Sequence, residues 1–173
     1  MVFVFGLLVL TKPTYYYMKG ICAQLMLERA WDLTKRTGHS SKAWSWADTL
    51  PVAKLEIPSI KLSQIVLDGE VNEALAFGPA LIESSLESKN KVIAGHRDSF
   101  FKNLGSLKEG DIVELELLES NIKYRVTSTS ITEPEDVRWL DSRSGESITL
   151  ITCYPFNYIG DAPLRFIVTG AKL

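Results

Sequence analysis

The 173-residue chain is predicted to be mainly β: a closed barrel or sandwich of seven or eight short strands with short helices, behind an N-terminal helical segment. Three observations predict it. Short apolar or alternating runs recur after Pro51, turn residues such as Asp68-Gly69, Gly110-Asp111 and Ser120-Asn121 punctuate them, and the long helix-like patterns are confined to the first 36 residues. The length suits one ordinary domain with a short appendage.

The N-terminus opens with the apolar run Met1 to Leu10, and a second stretch, Tyr15 to Leu27, is apolar apart from Lys19 and Gln24. As a helix the charge-free run ending at Thr11 covers only ~16 Å of a ~30 Å hydrocarbon core, so crossing requires Lys12 or Lys19 to be accommodated. No Lys or Arg precedes the run, so it is read as a retained anchor rather than a cleaved signal peptide. The positive residues all follow it, which by charge alone would leave the folded part in the cytoplasm. In ICAQLMLERAWDLTKR, Cys22, Met26, Ala30 and Leu33 are expected on one helix face and Glu28, Asp32 and Lys35 on the other, with Gly38 as the stop. The expected organisation is an anchor and helix over 1–36, a Trp- and Ser-rich linker over 37–51 and a β domain over 52–173.

Within that domain Val52 to Ile57 alternates, Leu62 to Leu67 is apolar and partly β-branched, and Val71 to Phe77 reads as a short helix. Lys91 to Ala94 reads as a buried strand ending in Gly95-His96, and Ser99 to Leu104 as a short helix with Asp98 as its N-cap. Ile112 to Leu117 and Ile122 to Val126 make a hairpin across Ser120-Asn121. Pro134 to Leu140 is a loop or one helical turn, and Ser147 to Cys153 and Leu164 to Val168 are the last strands.

The 46% hydrophobic and 23% charged composition argues against disorder, and a net charge of −2 gives no basic field for nucleic acid, which is excluded as a partner. One domain of this kind is expected to act as a monomer. The two His and two Cys, at 39, 96, 22 and 153, are too scattered for a disulfide framework or a closed zinc site. No metal or other cofactor is expected.

Three residues stand out. Cys153 closes a strand in which Thr149 and Ile151 share its face, and His96 follows the apolar Val92-Ile-Ala-Gly95. Arg165 points away from Leu164, Phe166 and Val168 on its strand. Singly, each type is commonly structural: a core thiol, a hydrogen-bonded imidazole, a solvated guanidinium. Together they form a set for acyl transfer. The thiolate is the nucleophile, an imidazole exchanges protons near neutrality, and a guanidinium stabilises an oxyanion.

The segments Val92-Ile-Ala-Gly-His-Arg-Asp-Ser-Phe-Phe101, Thr149-Leu-Ile-Thr-Cys-Tyr-Pro-Phe156 and Ala162-Pro-Leu-Arg-Phe-Ile-Val168 resemble the His, Cys and Arg motifs of sortases. The TLxTC motif is matched in full by 149–153, Arg165 lies twelve positions after Cys153, and the resemblance covers roughly 52–173. It implies an eight-stranded β-barrel and a cysteine transpeptidase that cleaves an LPxTG-like sorting signal after Thr, holds a thioacyl-enzyme and passes it to an amine acceptor. It implies Cys153 as nucleophile, His96 as general acid/base and Arg165 as the oxyanion and substrate clamp. Thr152, Ala94 and Tyr154 are expected to contact substrate. The protein partner is one with a C-terminal LPxTG-like signal. The barrel is expected at the cell membrane, held by a single-pass anchor and facing the periplasm or exterior. His-Arg-Asp-Ser-Phe-Phe and Cys-Tyr-Pro-Phe resemble class D-like sortases and the Gram-negative type, and Ala43-Trp-Ser-Trp-Ala-Asp-Thr49 favours the latter, with Trp44 and Trp46 as either a lid or a dock. Two other readings are weighed: a tethered β-barrel binding module without turnover, and an L,D-transpeptidase. The latter places Gly before its Cys and Arg two residues after, where this chain has Thr152 and Pro155.

Overall fold

Alternation in the sequence becomes alternation in burial. Strand β1 (Pro51–Ile57) buries every second residue, as PVAKLEI requires of a sheet with one face on a core. In the computed structural model, which describes residues 22–68, 71–82, 88–140 and 145–173, it is followed by β2 (Leu62–Leu67), β3 (Ala80–Leu81), β4 (Asn90–Ala94) and β5 (Ile112–Glu116). Then come β6 (Asn121–Thr132), β7 (Ser147–Tyr154) and β8 (Leu164–Lys172). The hydrogen-bonded order is β1-β2-β3-β4-β7-β8-β6-β5, and β5 returns to β1, so eight strands close a barrel. Closure removes the unpaired edges an open sheet would expose. Neighbours run antiparallel except β2 with β3 and β4 with β7. The interior is filled by side chains including Leu55, Ile93, Leu115, Tyr124, Leu150 and Phe166.

Several elements depart from the sequence expectation. β3 has two residues, too few to show a period, yet it joins β2 to β4 through Leu67↔Ala80 and Ala80↔Ala94. β6 runs on to Thr132 past a bulge between Val126 and Ser128, through a polar stretch whose residues lie outside the core. Residues 97–103 are turns rather than a helix. Phe101 N–H reaches back five residues to the His96 carbonyl and Leu104 N–H three to that of Phe101, so no helical ladder forms and Asp98 caps nothing. The β5–β6 turn closes earlier than expected, through Leu117 N–H to the Ser120 carbonyl, and Asn121 already belongs to β6.

Residues 22–37 are helical (α1), and the buried stripe is Ala23, Leu27, Ala30, Trp31 and Thr34. The expected stripe was rotated by about one residue: Cys22 is exposed, as are Met26 and Leu33. The large side chains Leu27 and Trp31 decide which face docks, since burying such a side chain contributes ~1.5–3 kcal/mol. They pack with Ile65 and Leu67 on the outer face of β2 and with Ala74 of the short helix α2 (Val71–Ala74). Gly38 stops α1 at a φ of +71°, its N–H bonded to the Thr34 carbonyl. An ion pair from Lys35 to Glu116 and a 2.6 Å bond from Gln24 Nε2 to the Phe77 carbonyl hold α1 to the barrel. Trp44 meets the Phe77 ring edge-on at 4.9 Å, docking the linker, whereas Trp46 is 78% exposed. Met1 to Leu10 and the chain up to residue 21, where the anchor is expected, lie outside the described residues. Among those described, no helix is long and apolar enough to cross a membrane.

Burial and the neighbouring Glu146 carboxylate push the Tyr124 phenol up to about 12. A folded-state pKa raised above the unfolded one near ~10 contributes stability that is complete below pH ~10 and is lost as pH rises toward 12. Tyr124→Phe should therefore flatten the alkaline limb of the stability curve, read as urea midpoints between pH 9 and 12. An unchanged limb would show that Tyr124 does not carry it.

Candidate active site

Three neighbouring strands, β4, β7 and β8, display their outward residues in rows. Ala94 pairs with Ile151 across the parallel β4–β7 ladder, and Ile151 pairs with Ile167 across the antiparallel β7–β8 ladder. One row further on, Cys153 pairs directly with Arg165. Direct partners in an antiparallel pair lie roughly 4.5–5.5 Å apart at Cα. The β4–β7 ladder continues past Ala94, because Gly95 N–H bonds the Ile151 carbonyl at 3.0 Å, and the next residue, His96, emerges beside the end of β7. His96, Cys153 and Arg165, remote in sequence, thus sit at the same end of three adjacent strands. His96 is exposed and the other two are half-buried.

The two threonines of the TLxTC stretch secure this arrangement from opposite sides. Thr152 is buried on the inner face and its Oγ1 donates to the Gly95 carbonyl at 2.6 Å, tying the residue before His96 to the residue before Cys153. Gly95 has no room for a side chain, since a Cβ would lie 2.6 Å from the buried Phe101 ring. Thr149 Oγ1 donates to Asn90 Oδ1 at 3.0 Å, and Asn90 Nδ2 donates to the Trp139 carbonyl at 2.9 Å. These buried bonds anchor the β6–β7 connection, whose 3-10 turn (Arg138–Leu140) lays Trp139 and Leu140 against Val92, Ile151 and Ile167. Preceding that turn, Asp136 accepts bonds from the Arg138 backbone and guanidinium, which hold its carboxyl well below the usual carboxylate range.

Of the other residues expected near substrate, Ala94 lies on the face that carries Cys153. Thr152 does not, because its hydroxyl is committed to Gly95. Tyr154 also takes the inner side, its ring 6.3 Å from Phe166 and 5.9 Å from Phe156. The alternation that brings Cys153 outward turns both of its neighbours inward. Arg165 Nη1 donates to the carbonyls of Ala162 and Leu164 at 3.2 and 3.0 Å; among the described residues its Nε and Nη2 carry no bond. Sequence reasoning missed Asn90, Trp139 and the buried Arg97. For Asn90 the signal was a polar residue opening an apolar strand.

A family model described as the Sortase domain matches residues 55–173. The chain belongs to the sortase family. It is 32% identical over 123 residues to Sortase D of Bacillus subtilis (strain 168), covering 69% of this chain and 62% of that one, so it spans under two thirds of that relative's length. Among solved structures, sortase C-1 from Actinomyces oris superimposes with a TM-score of 0.64 at 33% identity, over 71% of this chain and 74% of the other. A Clostridium perfringens Sortase D5 transpeptidase has a TM-score of 0.69 over 88% and 98% of the two chains; at 19% identity it shows the shared fold alone. The eight-stranded barrel that the sequence resemblance implied is the fold observed.

Thr152→Val keeps the shape of the side chain and removes the donor to Gly95. Leaving a buried carbonyl unsatisfied should cost about 1–3 kcal/mol, measured by urea denaturation, with faster hydrogen exchange at the Gly95 amide. No loss of stability would mean that the bond does not secure the His96 segment.

Proposed function

We propose that the protein is a sortase-type cysteine transpeptidase that cleaves an LPxTG-like sorting signal after its Thr and transfers the acyl group to an amine. The observation that carries this reading is the outward row His96, Cys153 and Arg165, standing above an apolar floor of Ala94, Ile151 and Ile167 that is flanked by Trp139 and Leu140. An extended peptide laid over this floor presents a carbonyl to the Cys153 thiolate. Attack forms the carbon–sulfur bond and an oxyanion, which the Nε and Nη2 donors of Arg165, unbonded among the described residues, stabilise. His96 gives its proton to the departing amine as the carbon–nitrogen bond breaks, leaving a thioacyl-enzyme. The acceptor amine attacks this thioester, His96 takes a proton from it, and Cys153 leaves as thiolate. Ala94 meets the peptide directly, while Thr152 and Tyr154 act by holding the frame beneath it.

The reading extends to its setting. The segment ahead of residue 22 tethers the protein to the cell membrane as a signal-anchor, with the barrel on the periplasmic or exterior side, acting as a monomer on cell-surface proteins. Of the two subclasses the sequence suggests, identity to Sortase D supports the class D-like one. A binding module without turnover has less support, because the whole catalytic set shares one end of the β4–β7–β8 sheet.

The test is transfer of LPxTG-peptide fragments to hydroxylamine by residues 22–173. Cys153→Ala should abolish it, and His96→Ala and Arg165→Ala should each lower kcat by roughly 10²–10⁴-fold with the circular dichroism spectrum unchanged. Turnover surviving Cys153→Ala would overturn the mechanism. The full chain should fractionate with membranes; recovery in the soluble fraction would overturn the tether.

A further inference from the structure

Arg97 follows His96 directly, and the chemistry of acyl transfer has no use for a second guanidinium buried in the frame. It is nonetheless only 7% exposed. Its Nη2 donates to the carbonyls of Tyr158 and Gly160 at 2.6 and 3.0 Å, its Nη1 to that of Pro155 at 3.4 Å, and its Nε to Asp98 Oδ1 at 3.2 Å. The Tyr158 ring lies 5.9 Å from the guanidinium carbon. The Asp98 side chain is 73% exposed, so the charge is held chiefly by backbone carbonyls of one loop, the connection from β7 to β8. That loop begins two residues after Cys153 and ends at the strand that carries Arg165.

A buried cation is costly to place, and a surface loop needs no such anchor to connect two paired strands. The position of the anchor is what has a consequence. His96 has a backbone neighbour fixed on each side: Gly95 is tied to β7 by its N–H and by Thr152, and Arg97 is tied to the β7–β8 loop. Its own carbonyl accepts the Phe101 amide at 3.0 Å. The imidazole is exposed, so the backbone sets where it stands. A planar guanidinium bonding three carbonyls specifies both distance and angle, which a lysine ammonium on a flexible stem does not.

We infer that Arg97 is a positioning residue that holds the His96 imidazole at proton-transfer distance from the amine expelled from the acyl carbon as Cys153 is acylated, by clasping the His96 segment to the β7–β8 loop. The inference rests on the transpeptidase reading. It separates from a merely stabilising role because only amide cleavage needs the leaving group protonated. When a p-nitrophenyl ester acylates Cys153, the carbon–oxygen bond breaks and nitrophenolate departs without a proton.

The experiment compares an LPETG peptide with the p-nitrophenyl ester of LPET, on the full chain. Arg97→Gln should lower kcat for the peptide ~30-fold with KM within about three-fold, while the single-turnover burst of nitrophenolate falls by no more than about three-fold. Arg97→Lys, which keeps the charge and loses the fork, should show the same asymmetry at about five- to ten-fold and serves if Arg97→Gln does not fold. Equal losses on both substrates, or no loss on the peptide, overturn the inference and leave the transpeptidase reading standing. A wild-type protein that turns over neither substrate overturns both.

Discussion

The parallel ladder between β4 and β7 is the constraint on which the candidate active-site end of the barrel depends. Because side chains alternate along a strand, a slip of one residue in β7 would turn Cys153 into the core and Thr152 toward solvent. Parallel pairing between strands this short is secured here by more than main-chain bonds. Thr152 to Gly95 locks one end of the ladder and Thr149 to Asn90 locks the other, both through buried hydroxyls whose loss would leave polar atoms stranded. The TLxTC stretch thereby gains a physical meaning beyond its cysteine. Leu150 fills the core, the two threonines set the register, and Cys153 is displayed at the end.

The closed barrel supplies rigidity that the connecting segments borrow. β7 lies between β4 and β8, so each residue of the row is held by a different strand while its neighbour in space is fixed by pairing. The connections leaving this end are each tied down by buried polar contacts. Asn90 holds the β6–β7 turn through the Trp139 carbonyl, and Arg97 holds the β7–β8 loop through three carbonyls. His96 is exposed and Cys153 and Arg165 are half-buried, while the backbone around them is held by hydrogen bonds, the division of labour that the proposed acid–base chemistry requires.

Much of this was legible in the sequence, for reasons that can be named. Period-two alternation in Val52 to Ile57 reports a one-sided core, the unbroken burial of Ile148 to Thr152 matches a strand covered on both faces, and turn residues mark where strands reverse. Arg165 was visible as a charge between the apolar Leu164 and Phe166, and Cys153 and His96 as a thiol and an imidazole at the ends of apolar strands, inside segments that resemble sortase motifs. What stayed hidden depended on tertiary partners. β3 exists only because β2 and β4 flank it, and the docked face of α1 follows from the volumes of Leu27 and Trp31 rather than from the polarity pattern. Thr152 and Tyr154 looked like substrate contacts because they adjoin Cys153, and strand parity sends both inward. Arg97 read as part of a motif, and its anchoring role required knowing that the β7–β8 loop folds back over it.

The central claim is that the β4–β7–β8 row forms an acyl-transfer site with Cys153 as its nucleophile. Acid-quenching residues 22–173 during turnover of an LPETG peptide, followed by mass spectrometric mapping of the two cysteine-containing fragments, tests it most directly. The account predicts that the acyl moiety ending in Thr is found on Cys153, is absent from Cys22, and is discharged by added hydroxylamine. Peptide cleavage with no adduct on Cys153, or an adduct confined to Cys22, would contradict it.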